Sequence, residues 1–124
     1  MLVKMIDIHP HIISADTLRY PVAPLGGKRS DWSSHRPVDF EQLVAGMDAA
    51  GIDKAAIVHS STTYGYDNSY LADAIAPHHD RFTGVFSVDV RDSDAPAKIH
   101  YWVTRGLTGL RLFAAGSTVK ASQD

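Results

Sequence analysis

The sequence has 124 residues, with 12 Lys and Arg against 14 Asp and Glu and a formal charge of −2. That length holds one compact domain and excludes two, and the slight acidic excess gives no electrostatic support for a nucleic-acid partner. At 44% hydrophobic and 21% charged residues the composition is that of a globular chain rather than a disordered one, and with no cysteine there are no disulfides, thiolate metal sites or thiol nucleophiles.

In chain order, the first expected strand is Lys4-Met5-Ile6-Asp7-Ile8-His9, within a first-strand region of residues 1–11. Lys4, Asp7, His9 and His11 break its apolar character, so it is not a signal peptide. No later run approaches the roughly 18 apolar residues of a membrane span. No membrane partner is therefore expected, and the expected location is cytoplasmic. A long loop follows over residues 12–38, rich in Pro, Gly and Ser; loops of that length in a compact domain tend to be functional.

Residues 39–113 read as alternating helices and strands. Asp39 caps a helix whose apolar positions Phe40, Leu43, Val44, Met47 and Ala50 follow helical spacing, with Gln42 placed for a capping box and Gly51 as the stop. Lys54-Ala55-Ala56-Ile57-Val58-His59 is the second strand. Asn68 or Asp67 caps the next helix, with Leu71, Ala72 and Ile75 inward and Pro77 near its end. Phe82 to Asp89 is the third strand. A helix beginning near Asp94, with Pro96 in its first turn, turns Ile99, Trp102 and Val103 to one face and stops at Gly106. Gly109-Leu110-Arg111-Leu112-Phe113 is the fourth strand, and residues 114–124 form a truncated tail where a further helix would begin. Largely apolar strands alternating with helices imply a parallel sheet with right-handed crossovers. A full eight-fold barrel takes about 250 residues. The fold expected here is α/β, a partial TIM (β/α)8 barrel of about four βα units.

The strongest chemical signal is Asp7-Ile8-His9-Pro10-His11. Side chains two apart on a strand share a face, so His9 and His11 can converge at the C-terminal rim, where barrel enzymes place their sites. Neutral imidazoles there suit zinc and similar divalent ions. The plain alternative is two solvent-facing or capping histidines.

This segment, followed by Tyr20-Pro21, resembles the opening of the amidohydrolase-related family, metal-dependent hydrolases and decarboxylases of barrel fold. The resemblance continues through Tyr64-Gly65-Tyr66-Asp67-Asn68-Ser69-Tyr70-Leu71-Ala72-Asp73-Ala74-Ile75, then Arg81-Phe82-Thr83-Gly84-Val85, then Gly109-Leu110-Arg111-Leu112. It is similar to the branch that includes lactonases and hydrolases of pyrone dicarboxylates, and it covers only the N-terminal half of a typical member. The resemblance implies that His9 and His11 are the first two metal ligands. It also implies a divalent cofactor, zinc before manganese, with no metal as the remaining option. The family's later ligands and its general-base aspartate have no counterpart here, so the catalytic residue is left unassigned.

Arg111, His59 and Tyr64 are the candidate substrate-binding residues. A guanidinium inside an apolar strand calls for an anion, and the alternative is an ion pair with Asp89. His59 and Asp89 close strands and have structural alternatives, as does Tyr64, which can line a pocket or pack. His78-His79 lies on the opposite rim and reads as a solvated helix terminus. Gly26-Gly27-Lys28-Arg29-Ser30 lacks the spacing of a phosphate loop and reads as a flexible loop. Ser60, Ser61, Thr62 and Thr63 have no nucleophile elbow around them.

The expected activity is hydrolysis of a small carboxylated ester, lactone or amide by a metal-activated water at His9 and His11. The alternatives are a metal-dependent decarboxylase of the same family, or a non-catalytic or truncated half-barrel that self-associates. The expected partners are a small-molecule substrate and either a second copy or a missing C-terminal half.

Overall fold

A computed structural model describes residues 4–113, so the expected tail at 114–124 lies outside the described residues. Four strands form one sheet in the order β1 (Met5–Asp7), β2 (Ile52–Val58), β3 (Phe82–Ser87) and β4 (Gly109–Arg111). All three pairings are parallel, and the sheet curls as the four βα units of a half-barrel. Between β1 and β2 come α1 (Asp31–His35) and α2 (Phe40–Ala50). Between β2 and β3 lie α3 (Ser61–Tyr64) and α4 (Ser69–Ile75), and α5 (Ala95–Thr104) joins β3 to β4.

Local chemistry accounts for the helix boundaries. The Asp39 carboxylate accepts the Gln42 amide hydrogen at 2.8 Å while Gln42 Oε1 accepts from the Asp39 amide at 2.9 Å, a reciprocal capping box. Gly51 closes α2 at φ 72°, a left-handed conformation that costs glycine little. After α5, the Leu107 amide bonds the Trp102 carbonyl and the Gly106 amide bonds the Val103 carbonyl. That is a Schellman ending, and it delivers Leu107 into the core beside Trp102.

Which sheet face meets the helices follows from Gly84. A Cβ there would sit 3.0 Å from Ile75 Cδ1 and 3.3 Å from Leu71 Cγ, so Phe82, Gly84 and Phe86 face α4. This layer forms the core with Ala55, Ile57, Met47, Phe40, Leu71 and Ile75. Residues of opposite parity, Ala56, Val58, Val85 and Ser87, line the concave face. Ser87 is in register with Arg111, which puts Arg111 on that face too.

Three strands stop short of the expected ends, while β2, expected over Lys54 to His59, runs Ile52–Val58. β1 stops at Asp7 because the Asp7 carboxylate accepts the His9 amide at 3.1 Å and bends the chain. The backbone nonetheless stays beside β2, whose Val58 amide reaches the Pro10 carbonyl at 2.9 Å. β3 ends at Ser87 rather than Asp89, and β4 at Arg111 rather than Phe113. Two helical turns, α1 and α3, were not expected; they occupy segments read as loop.

Candidate functional site

The four strands open at their C-terminal ends onto a common mouth, and the sequence candidates gather there. His9 and His11 lie beyond β1, their rings 5.0 Å apart between centroids and crossing at 77°. They converge through the Asp7 turn and not through plain strand alternation. His11 is held on two sides. Its Nδ1 is 2.7 Å from the Val58 carbonyl, which can only accept, so the proton sits on Nδ1 and Nε2 keeps its lone pair. The Trp32 indole stacks on the same ring at 5.4 Å and 29°. Burial lowers the His11 pKa below its usual value, with the Val58 carbonyl opposing and His9 and Arg111 reinforcing the shift. His11 is therefore neutral at neutral pH.

A ring nitrogen donated to a backbone carbonyl, with the other left free, is the arrangement of metal-ligating histidines. His11 has that arrangement, and His9 lies beside it without such a ring hydrogen bond among the described residues. Among the described residues no cluster of three or more His, Asp or Glu side chains could hold a metal, whereas a catalytic zinc takes about three protein ligands. The two imidazoles are fewer donors than such a site takes.

His59 follows β2 and is buried. Its Nε2 donates to the Asp67 carbonyl at 2.9 Å, leaving Nδ1 as a buried acceptor with no partner. Desolvation is the main reason its pKa falls to about 4, with His11 and Arg111 also disfavouring the charged form. Arg111 makes no ion pair among the described residues; its guanidinium lies over the Phe113 ring at 4.7 Å. Asp89 pairs instead with Arg91, two residues along, at 3.1 Å. The Arg111–Asp89 bridge, the structural alternative for Arg111, is absent from this fold. Tyr64 is buried, with its hydroxyl accepting the Ser14 amide at 2.8 Å, so it anchors the β1–α2 loop against α3. His78 lies at the far end of β3, its ring packed on Phe40 at 5.3 Å, away from the mouth.

Two residues of the mouth escaped the sequence reading. Trp32 sits on α1, and Ser30-Asp31 ahead of it is the helix-start signal that would have found it. Of the two cap candidates, Asn68 and Asp67, the Asn68 amide turns inward. Nδ2 donates to the Ser87 carbonyl at 2.9 Å and Oδ1 accepts the Ser87 amide at 3.0 Å. The side chain stands where β2 would have continued and completes the ladder of β3. Capping falls to Asp67, whose carboxylate accepts the Ser69 amide at 3.0 Å. Asp67 and Asn68 together tie His59 and Ser87 into one rim.

Comparison with known proteins bears on the family and the fold. The sequence profile of the amidohydrolase family matches residues 6–124. No curated protein matches the chain. Among solved structures, a candidate 2-pyrone-4,6-dicarboxylic acid hydrolase from Acinetobacter baumannii, with citric acid bound, superposes with a TM-score of 0.61 at 18% identity. The match covers 89% of this chain and 38% of that one. A candidate 2-pyrone-4,6-dicarboxylic acid hydrolase from Pseudomonas putida gives 0.65 at 22% identity, covering 90% and 37%. An apo structure from Agrobacterium tumefaciens gives 0.68 at 18%, covering 94% and 39%. At these identities the likeness establishes the fold, and the chain spans under two-fifths of each of these three proteins.

Proposed function

The chain belongs to the amidohydrolase family, and from that premise we propose that its mouth is the N-terminal part of a hydrolase site for a small carboxylated ester, lactone or amide. The observation that carries this reading is the convergence of His9 and His11 at 5.0 Å, with the tautomer of His11 fixed by Val58. What a divalent metal, zinc or manganese, supplies when held by such a pair is Lewis acidity: it polarises a carbonyl and makes water a nucleophile near neutral pH. The chain's own residues do the rest. His11 stays neutral and presents Nε2. Arg111, on the concave face without a carboxylate partner, takes the acid group of the substrate, for which a planar guanidinium is suited. His59 forms a neutral polar wall and Tyr64 holds the covering loop, whose α1 lays Trp32 over His11 and limits water access on that side.

The neighbours named for pyrone dicarboxylate hydrolysis agree with a carboxylated substrate. Hydrolysis stands ahead of decarboxylation on that ground alone, since the same rim residues suit either reaction.

The direct test is cobalt titration of the chain, followed by visible absorption, alongside a screen of lactones and amides. A His9→Ala, His11→Ala double variant is expected to lose the metal-dependent absorption and any hydrolysis. Unchanged cobalt binding in that variant would remove the pair from the site. A second reading, association of the chain through its open edges, is favoured by the exposure of Ile8 at 76% and Leu112 at 62%.

A further inference from the structure

The β1–α2 loop has two parts that differ in how they are tied to the rest of the fold. The first is stitched down by main-chain bonds, the Ala23 and Leu25 amides donating to the Thr63 and Ser61 carbonyls at 2.8 and 2.9 Å. The loop is fixed again at its end, where the Ile13 amide reaches the Val38 carbonyl at 2.7 Å. Between these points the backbone of residues 28–36 bonds only within itself among the described residues, as from Ser34 to Ser30 and from Arg36 to Trp32.

That stretch is braced internally. Arg29 Nε donates to Ser33 Oγ at 3.2 Å and Nη2 to the Ser33 carbonyl at 2.6 Å, while the Ser33 hydroxyl donates to the Ser30 carbonyl at 2.9 Å. Its two ends are less constrained. Gly26 and Gly27 stand at φ 83° and 81°, and a Cβ on Gly27 would meet nothing within 4 Å, so packing does not oppose rotation there. At the other end Arg36 leaves the helix at φ −136°, ψ 57°, ahead of Pro37. Two contacts hold the stretch to the body: the Ser30 hydroxyl lies 3.0 Å from Thr62 Oγ1 on α3, and the Trp32 indole stacks on His11 at 5.4 Å. A stiff piece with hinges at both ends and side-chain contacts beneath it opens as a unit. The aromatic contact alone biases such an equilibrium about two- to tenfold.

We propose that residues 28–36 form a lid, hinged at Gly26–Gly27 and at Arg36–Pro37, whose latch is Trp32 on His11 and which uncovers that ring when it lifts. Because His11 is one of the pair converging at the mouth, the lid decides whether a molecule meets this ring from the α1 side. The gating role rests on the mouth being the substrate site, whereas the motion does not.

The test uses the whole chain with no metal or substrate added. The chain has two tryptophans and no cysteine, so 5-fluorotryptophan gives one fluorine signal from Trp32 and one from Trp102 in the core. Ser30→Cys with Thr62→Cys places a single thiol pair across the Ser30–Thr62 contact, as a reversible lock. Relaxation dispersion reads exchange on the μs–ms scale. Trp32 and the His11 ring carbons are expected to share one exchange rate, because the indole ring current leaves the imidazole when the lid lifts, and Trp102 should show none. Oxidation of the thiol pair should suppress the exchange at both rings, and reduction should restore it. Thr62→Val, which removes the hydroxyl contact, should enlarge the open population about two- to tenfold. Flat dispersion at Trp32, different rates at Trp32 and His11, exchange that persists in the oxidised pair or an open population indifferent to Thr62→Val would overturn the lid. So would a thiol pair that does not oxidise, since the closed form holds these side chains together. Failure of the mouth reading shows separately, as cobalt binding unaffected by the His9→Ala, His11→Ala substitutions.

Discussion

Burying an imidazole ties stability to pH, and His59 is where this chain does so. Its folded pKa of about 4 lies below the unfolded value of 6.5, so the unfolded chain binds the extra proton first as pH falls. The contribution is complete above pH 6.5, declines from there towards pH 4, and is lost below it. The 6.5-to-4 interval corresponds to about 3 kcal/mol. Urea unfolding of the wild type should therefore weaken across that window, and His59→Gln should flatten the profile there. A profile equally steep in the variant would place the titrating group elsewhere. Asn68 makes the complementary case. Removing its amide in Asn68→Ala leaves the Ser87 amide and carbonyl unpaired in the interior, and a buried unmet group costs about 1–3 kcal/mol. A loss of about 2–4 kcal/mol is expected by chemical denaturation. A loss under 1 kcal/mol would mean that water or a neighbour takes over both bonds.

At the scale of elements, the loop that roofs the mouth depends on one glycine. Ala23 and Leu25 pair their amides with the Thr63 and Ser61 carbonyls at 2.8 and 2.9 Å, which lays the loop across α3. Gly65 ends that turn at φ 63°, ψ −119°, and a Cβ there would stand 2.7 Å from the Ala23 carbonyl oxygen. Gly65→Ala should cost about 1–3 kcal/mol and detach the loop. Limited proteolysis is expected to cut within residues 12–38 much faster in the variant. Elements of this kind also mark how far a sequence can be read. The capping box at Asp39 and Gln42, the Gly51 and Gly106 endings and the parallel strand order were legible because each is encoded within a few residues. The His9 and His11 pairing was legible for the same reason, although the Asp7 turn that brings the rings together was not foreseen. The stacking of Trp32 on His11 and the inward turn of Asn68 depend on which distant segment arrives beside them, whereas the Asp89–Arg91 pair is local and was legible in principle. No local pattern states that Asn68 will fill the place of a departing β2.

The whole molecule is a curved sheet with an uncovered side. Ile6, in register with Lys54, belongs to the concave face and is 60% exposed, and Ile8 beyond it is 76% exposed. At the other edge Leu112, just past β4, is 62% exposed. The backbone groups of β1 and β4 that point away from the sheet have no strand beside them among the described residues. Exposed apolar edges of this kind favour pairing with another strand. Two four-stranded parallel sheets joined edge to edge, β4 of each beside β1 of the other, would bring the count to the eight strands of a closed βα barrel. In that arrangement the four histidines at positions 9 and 11 would lie at one mouth. The 124-residue chain is accordingly expected to sediment as a dimer or larger species at micromolar concentration. Ile8→Lys combined with Leu112→Lys should shift it towards the monomer by placing charge on both edges. A wild-type chain that sediments as a compact monomer throughout the concentration range, with edge amides of β1 and β4 protected from hydrogen exchange, would show that the edges are covered from within.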